Sequence, residues 1–373
     1  MNTDPSERQN ECLQKLKLMQ ACLHETDAAA IRLRGTDWFA WATAGASNSV
    51  LLAAETGVAD VLVTDNNAWI LTDEIEAQRL TDEELPDGEQ SPYVLHVSPW
   101  ADSAQRELFV QEVTARGKIL SDRPTSSEFS LPHSLIQHKR KLLPSELDRY
   151  RQVGQLASQA MTEVLTQVQP TWTEYDLAGA GAEALWKRGL HPALTLAAGE
   201  QRISRYRHPV PTGGKIERLA MLVFCARGFG LYANLTRFVA FDALTAQEHK
   251  LHQQVREIEA IALSQSQLNT PLNQVYQTLQ HSYEQQGYPQ AIHEHHQGGT
   301  TGYLAREIVA NPTTVDRLSA NTAIAWNPSL TGAKIEDTFV LLEDGTLENL
   351  TFDSNWASVE VAGRLRPIPL VIQ

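Results

Sequence analysis

A chain of 373 residues, 42% hydrophobic and 20% charged, has the balance of a globular protein large enough for two domains. Its net charge of −14 argues against nucleic acid as a partner. No apolar run reaches the ~18–20 residues that span a bilayer, so no membrane is expected either. The opening Met1-Asn-Thr-Asp-Pro-Ser-Glu-Arg8 lacks a signal peptide's basic start and apolar block, and a cytoplasmic protein is predicted. Cys12, Cys22 and Cys225 show no metal-ligand spacing and read as reduced structural thiols.

Residues 1–140 read as an alternating helix and strand domain. Leu13, Leu16, Met19 and Leu23 recur at helical spacing, and Ala28–Leu33 suits a strand. The runs Asp60–Thr64 and Ala68–Thr72 flank Asp65-Asn-Asn67, which is hairpin chemistry. Further strands are predicted at Tyr93–Val97 and Lys118–Ser121. Much of the acidic excess lies in this half, and its densest stretch, Thr81–Glu89, reads as a solvated loop. The basic run His138-Lys-Arg-Lys141 is taken as the link to a second domain over 141–373.

The second domain opens on a strong helix. Pro144, with Ser145 and Asp148 spaced as a capping box, precedes Leu147, Tyr150, Val153, Ala157, Ala160, Met161 and Val164 on one face. Further helices are predicted from Thr173 to Gly189, from Thr245 with Glu248 three residues on, and from Thr270-Pro271 to Gly287. Residues 219–225 form a run suited to a strand buried on both faces. Arg227–Gly230 then turns the chain, and Leu231–Ala240 returns as the second strand of a hairpin.

Two motifs carry a resemblance. Asn234-Leu-Thr-Arg-Phe238 sits where the pita-bread family writes Asp-Ile-Thr-Arg-Thr, and Lys334-Ile-Glu-Asp-Thr338 where it writes Arg-Ile-Glu-Asp-Thr. From about Leu143 to the C-terminus the chain resembles that family, which includes methionine aminopeptidase, aminopeptidase P, prolidase and creatinase. The resemblance implies an α/β (α+β) fold of two domains, a C-terminal pita-bread domain preceded by a smaller mixed α/β domain like that of creatinase and aminopeptidase P.

The metallopeptidases of the family hold two metal ions with five side chains. On the resemblance these fall on Val223, Asn234, Gly299, Asn327 and Glu336, and only Glu336 is retained. Two divalent ions need several anionic oxygens and an imidazole at close range. No metal and no other cofactor is therefore expected. An unconventional set drawing on His208, His295 or His296 with Glu336 is the arrangement that would restore one.

The resemblance also assigns a site. His208, in Arg205-Tyr-Arg-His-Pro-Val-Pro211, matches the histidine that performs acid and base work in metal-free creatinase, a role that suits a group titrating near neutrality; its alternative is a structural loop histidine. Glu336 matches a glutamate that holds creatinase's cationic substrate. Glu307 aligns with the glutamate of a His-Glu pair whose histidine is here Arg306. That guanidinium either clamps a substrate carboxylate or pairs internally with Glu307 or Glu336. Tyr232, Asn234, Thr236 and Asn327 offer polar groups where the metals would sit. His295 matches a substrate-contacting histidine, with Gly298 and Gly299 letting backbone approach the pocket. His296 is placed in the same substrate-binding set, although an extended backbone would point it away from His293 and His295.

Creatinase has a second glutamate where this chain has Thr236, so creatine itself is disfavoured as substrate. The expected function is a metal-independent, creatinase-like hydrolase that cleaves a C–N bond in a small molecule able to carry a carboxylate. The alternative is a non-catalytic relative of Xaa-Pro aminopeptidase that binds a small molecule or short peptide. The family layout further implies a homodimer, with Trp38, Trp41 or Asn48 at the rim of the partner's pocket or, alternatively, ordinary buried aromatics of a core strand.

Overall fold

The computed structural model describes residues 5–85 and 91–372. It divides into two compact units, Met1–Arg149 and Tyr150–Gln373. The division falls inside the long helix Pro144–Gln167. The basic run expected to be an open link is instead the last turn of a helix, His133–Arg140, and the first residue beyond it. Lys139 there is buried, its ammonium 3.0 Å from Asp37.

The first unit is built on a six-stranded sheet. Its spatial order is Val94–Ser98, Ala68–Asp73, Thr56–Val63, Ala30–Gly35, Ile119–Ser121 and Phe129–Ser130. The strands predicted from sequence are all present, including the antiparallel pair joined through Asp65–Asn67. The N-terminal helix, Pro5–Thr26, buries only part of the stripe expected: Met19 and Leu23 face inward together with Cys12, Lys15 and Cys22, while Leu16 is half-buried and Leu13 exposed. An ion cluster draws the helix round: Lys15 reaches Glu11 at 2.6 Å and Glu146 at 2.7 Å, and Arg149 pairs with Glu11. A buried ammonium needs those carboxylates more than a leucine needs burial.

Trp38 and Trp41 lie on a helix, Thr36–Ala42, not on a strand. Both are buried, as is Asn48, whose Nδ2 donates to Ala59 O at 2.7 Å. None of the three offers a surface to a partner's pocket. In the acidic stretch, Leu80–Glu84 forms a π-helical turn, and residues 86–89 lie outside the described residues. The three cysteines are free thiols, with Cys225 half-buried.

The second unit runs through one element order twice. Helices Pro144–Gln167 and Glu174–Trp186 precede strands His191–Gly199, Leu219–Gly228 and Leu231–Ala240. Helices Ala246–Gln265 and Leu272–Gln285 precede strands Gly298–Thr301, Thr322–Trp326 and Asp337–Leu341. Each half packs its helices on one face of its own sheet, through clusters that include Tyr283 and Trp326 in one half and Leu177 and Phe224 in the other.

Local rules account for most of these boundaries. Thr173 with Asp176, and Thr245 with Glu248, form reciprocal capping boxes at two helix starts. At the start of the first helix the reach-back is made by Glu146, which accepts from Leu143 N–H at 2.8 Å. Ser145 lies within the helix and donates to Glu11 at 2.5 Å, so the expected Ser145–Asp148 box is displaced. The central hairpin turns on Phe229 and Gly230, both at positive φ (52° and 79°), the mirror-type turn whose twist matches two antiparallel strands.

Candidate active site

The site grows from the hairpin. Val223 pairs with Thr236 and Cys225 with Asn234, so these side chains share a face with Tyr232. Thr236 N–H donates to Glu336 O at 3.0 Å, and this bridge, with the Asn234 N–H that donates to Thr338 Oγ1 at 2.8 Å, sets the register between the two half-sheets. Strand alternation then turns Glu336 toward the hairpin and Asp337 the other way, where it meets Arg237 at 2.7 Å and Arg366 at 2.9 Å.

Glu336 is buried and enclosed by cations. Arg306 Nη2 pairs with its Oε1, Lys334 Nζ stands 3.4 Å from its Oε2, and Thr236 Oγ1 lies 3.4 Å from the same oxygen. Burial would raise the carboxyl pKa, but Lys334 and Arg306 outweigh it and hold the group at about 2. Of the two internal pairings anticipated for Arg306, the structure forms the one with Glu336. Glu307 instead accepts from Leu304 N–H at 3.2 Å within the adjoining loop. Tyr232 lies one step nearer the turn, beneath the Arg227 guanidinium.

Three imidazoles meet above this ion cluster. His208 Nε2 lies 2.9 Å from His295 Nε2, and His295 and His296 stack with ring centroids 4.5 Å apart. One nitrogen from each of the three falls within 4.8 Å of the others. His296 therefore does not point away from His295. The backbone is not extended there, because Ala291–His293 is a 3₁₀ turn and Glu294 is still helical (φ −83°, ψ −15°). Exposed His293 is left out of the group.

Desolvation lowers the pKa of all three rings, to about 2 for buried His295 and about 4 for His296, which like His208 keeps exposed surface. Lys334 adds to the effect at His208 and His295, and Arg306 at His296. The rings are neutral at physiological pH.

Sequence reasoning missed three residues that assemble the site. Arg207 pairs with Glu294 and donates to Thr331 Oγ1 at 3.0 Å, which ties the loop before His208 to the loop before His295. Lys334 is the third. Its two-residue spacing from Glu336 was the available signal, since alternate residues of an extended segment share a side.

The five positions aligned with metal ligands do not fit two divalent ions. Val223 packs with Met221, Phe238 and Leu196 in an apolar cluster. A Cβ on Gly299 would lie 2.0 Å from Ile308 O, so the backbone leaves no space for a side chain. Asn234 and Asn327 are neutral amides, each buried with an Oδ1 that accepts no hydrogen bond among the described residues. Glu336 is already neutralised. Among the described residues the three imidazoles have the spacing of a cation site, but Arg306 and Lys334 beside them outnumber the carboxylate of Glu336.

This architecture is the pita-bread fold, two sheet halves meeting at the Thr236–Glu336 bridge, preceded in sequence by a smaller α/β unit. The chain belongs to metallopeptidase family M24, whose family model matches residues 148–343. No curated protein sequence matches it. Among solved structures it is similar to an Xaa-Pro dipeptidase from Bacillus anthracis (16% identity, TM-score 0.74), covering 97% of this chain and 100% of that one. An X-Pro aminopeptidase from Thermotoga maritima is similar at 17% identity and TM-score 0.76, covering 96% and 99%. The N-terminal domain of the FACT complex subunit SPT16 from Cicer arietinum is similar at 12% identity and TM-score 0.70, covering 92% and 96%. At these identities the likeness shows the fold. No helix of the described residues is long and apolar enough to cross a membrane.

Proposed function

We propose that this protein is a metal-independent hydrolase that cleaves a C–N bond in a small molecule, with the His208–His295 pair moving the proton. The observation that carries the reading is the 2.9 Å Nε2 to Nε2 contact between the two rings. Two neutral imidazoles in that contact share one proton, so each keeps an Nδ1 for other work. His295 Nδ1 is buried with no partner among the described residues.

In the proposed step a water O–H gives its proton to the imidazole pair as the new C–O bond forms. The electron pair of the breaking C–N bond goes to nitrogen, which takes the proton back from the imidazolium. Arg306 and Lys334 supply positive charge for the developing oxyanion, the place a metal would otherwise take. Glu336 acts as a positioning residue that holds both cations. A homodimer in a reducing, cytoplasmic setting completes the proposal. Light scattering at micromolar concentration tests the dimer, with twice the 41.5 kDa chain mass expected.

The test of chemistry is turnover by chelator-treated protein of N-acyl, ureido or amidino compounds, compared between wild type and His208→Ala. Activity that survives the substitution sinks the reading. A second reading, a non-catalytic binding protein, draws on the occupation of Glu336 by Arg306. It predicts a small molecule bound with no turnover in either protein.

A further inference from the structure

We infer that the first unit carries a binding site of its own, for a small zwitterion of the amino-acid class, in the cavity lined by Asp73, Trp100 and Arg106. The inference is independent of the proposed hydrolase, whose residues all lie in the second unit.

Strand order makes the cavity. Ala68–Asp73 and Val94–Ser98 run parallel and end level, Asp73 opposite Ser98. From Ser98 the chain passes through Trp100 to the helix Ala104–Val113. A cavity of about 370 Å³ opens between these strand ends and the first turn of that helix, where Arg106 and Glu107 join its lining. The carboxyl ends of parallel strands are where open sheets hold ligands, and the volume falls in the range of small-molecule pockets.

Charge decides the class of ligand. Arg32, Arg34 and Arg106 line the cavity against Asp60, Asp73 and Glu107, a balance that favours neither a bare anion nor a bare cation. Most of these charges are committed. Arg32 donates Nε to Asp60 at 2.8 Å and both terminal nitrogens to Glu107 at 2.8 and 2.7 Å. Arg34 is held by Glu128 at 2.8 and 2.6 Å. Two groups are left over. Arg106 makes no hydrogen bond or ion pair among the described residues. Asp73 Oδ1 accepts from Ile75 and Glu76 N–H at 3.0 and 3.3 Å, which leaves Oδ2 to a ligand. A cation and a carboxylate oxygen on the wall of one cavity match a molecule that carries both a carboxylate and an ammonium.

Trp100 supplies the remaining contact. It is 65% exposed, although tryptophan is highly buried on average. Its indole offers a broad apolar face to the side chain of such a molecule, and an aromatic side chain would gain most from it.

L-phenylalanine, 3-phenylpropionate and 2-phenylethylamine provide the test, by calorimetric titration into wild type, Asp73→Asn, Trp100→Ala and Arg106→Gln. The second compound lacks the ammonium and the third the carboxylate. Asp73→Asn keeps the Oδ1 that caps its turn, and Trp100 and Arg106 are not buried, so circular dichroism should show all three variants folded. Phenylalanine should bind wild type ~10-fold or more tightly than either analogue. It should weaken by a similar factor in Arg106→Gln and Asp73→Asn, and ~3- to 10-fold in Trp100→Ala. Binding by His208→Ala should match wild type. Either analogue binding as tightly as phenylalanine, or phenylalanine indifferent to both Arg106→Gln and Asp73→Asn, would overturn the inference. Loss of binding in His208→Ala would place the ligand in the second unit and overturn it equally, and so would the absence of saturable binding by wild type.

Discussion

The guanidinium of Arg306 closes on Oε1 of Glu336, so this buried carboxylate is held by a side-chain cation. Lys334 approaches its other oxygen. Glu336→Gln leaves two largely buried cations facing a neutral amide. Removing one partner of a buried pair costs ~3–5 kcal/mol, and urea unfolding at pH 7.5 should show a loss of that order. A change below ~1 kcal/mol would mean that the carboxylate is not the counter-charge described.

His208 is exposed, so its removal should leave the fold intact. His208→Ala is expected to lower turnover ~10²- to 10⁴-fold, the range for loss of a general acid–base group. Circular dichroism checks the fold and kcat the chemistry. His295→Gln should lower turnover as well, because it removes the other half of the shared proton.

Acid should weaken this protein through its buried imidazoles. Burial holds His295 at about 2, and it holds His252, packed on Phe238 with Arg256 near, at about 3. An unfolded histidine titrates near ~6.5. Between these values the unfolded chain binds more protons, so the contribution is complete above ~pH 6.5 and is lost as pH falls toward the folded values. His252 lies on a helix away from the imidazole cluster and isolates the effect. The fall in Tm from pH 7.5 to 5.0 should be smaller in His252→Leu than in wild type, and an identical fall would contradict the assignment.

On the resemblance, Gly299 falls where the metallopeptidases carry a histidine. Its φ is +152°, and Ile308 O lies 2.0 Å from the point a methyl group would occupy, so Gly299→Ala should cost more than ~3 kcal/mol or prevent folding. Gly345, at φ +84° with nothing within 4 Å, is the control. Gly345→Ala should cost only the ~1–2 kcal/mol of a left-handed backbone. Equal effects in a thermal melt would show that the contact at Gly299 is relieved cheaply.

Purified protein should hold less than stoichiometric transition metal after dialysis. The amides of Asn234 and Asn327 are poor ligands without carboxylate help. Elemental analysis decides the matter. One or two equivalents of manganese, cobalt, iron or zinc, with activity lost to chelator and restored by metal, would return the chain to the metal-dependent members. Should His296→Asn abolish that metal, the three imidazoles would be its site.

What the sequence determined by itself is what acts over a few residues. Thr173 and Thr245 cap their helices because a hydroxyl three residues from a carboxylate satisfies the first free N–H groups. The apolar run 219–225 and the Phe229-Gly230 turn specify the hairpin. Val223 and Gly299 carry no side-chain donor for a metal whatever the fold does with them. Tertiary structure decided the rest. His208 and His295 are 87 residues apart, and meet because Arg207 and Glu294 join their loops. Arg306 finds Glu336 rather than Glu307 because the Thr236–Glu336 bridge fixes where that carboxylate lies. His296 was misplaced by period-2 reasoning applied to a segment that is not a strand. The first helix likewise turned Leu13 outward and buried Lys15, whose partners include Glu146, 131 residues away. Local pattern reports which side chains can share a face, while the partner that a charge or a proton requires is supplied by chain distant in sequence.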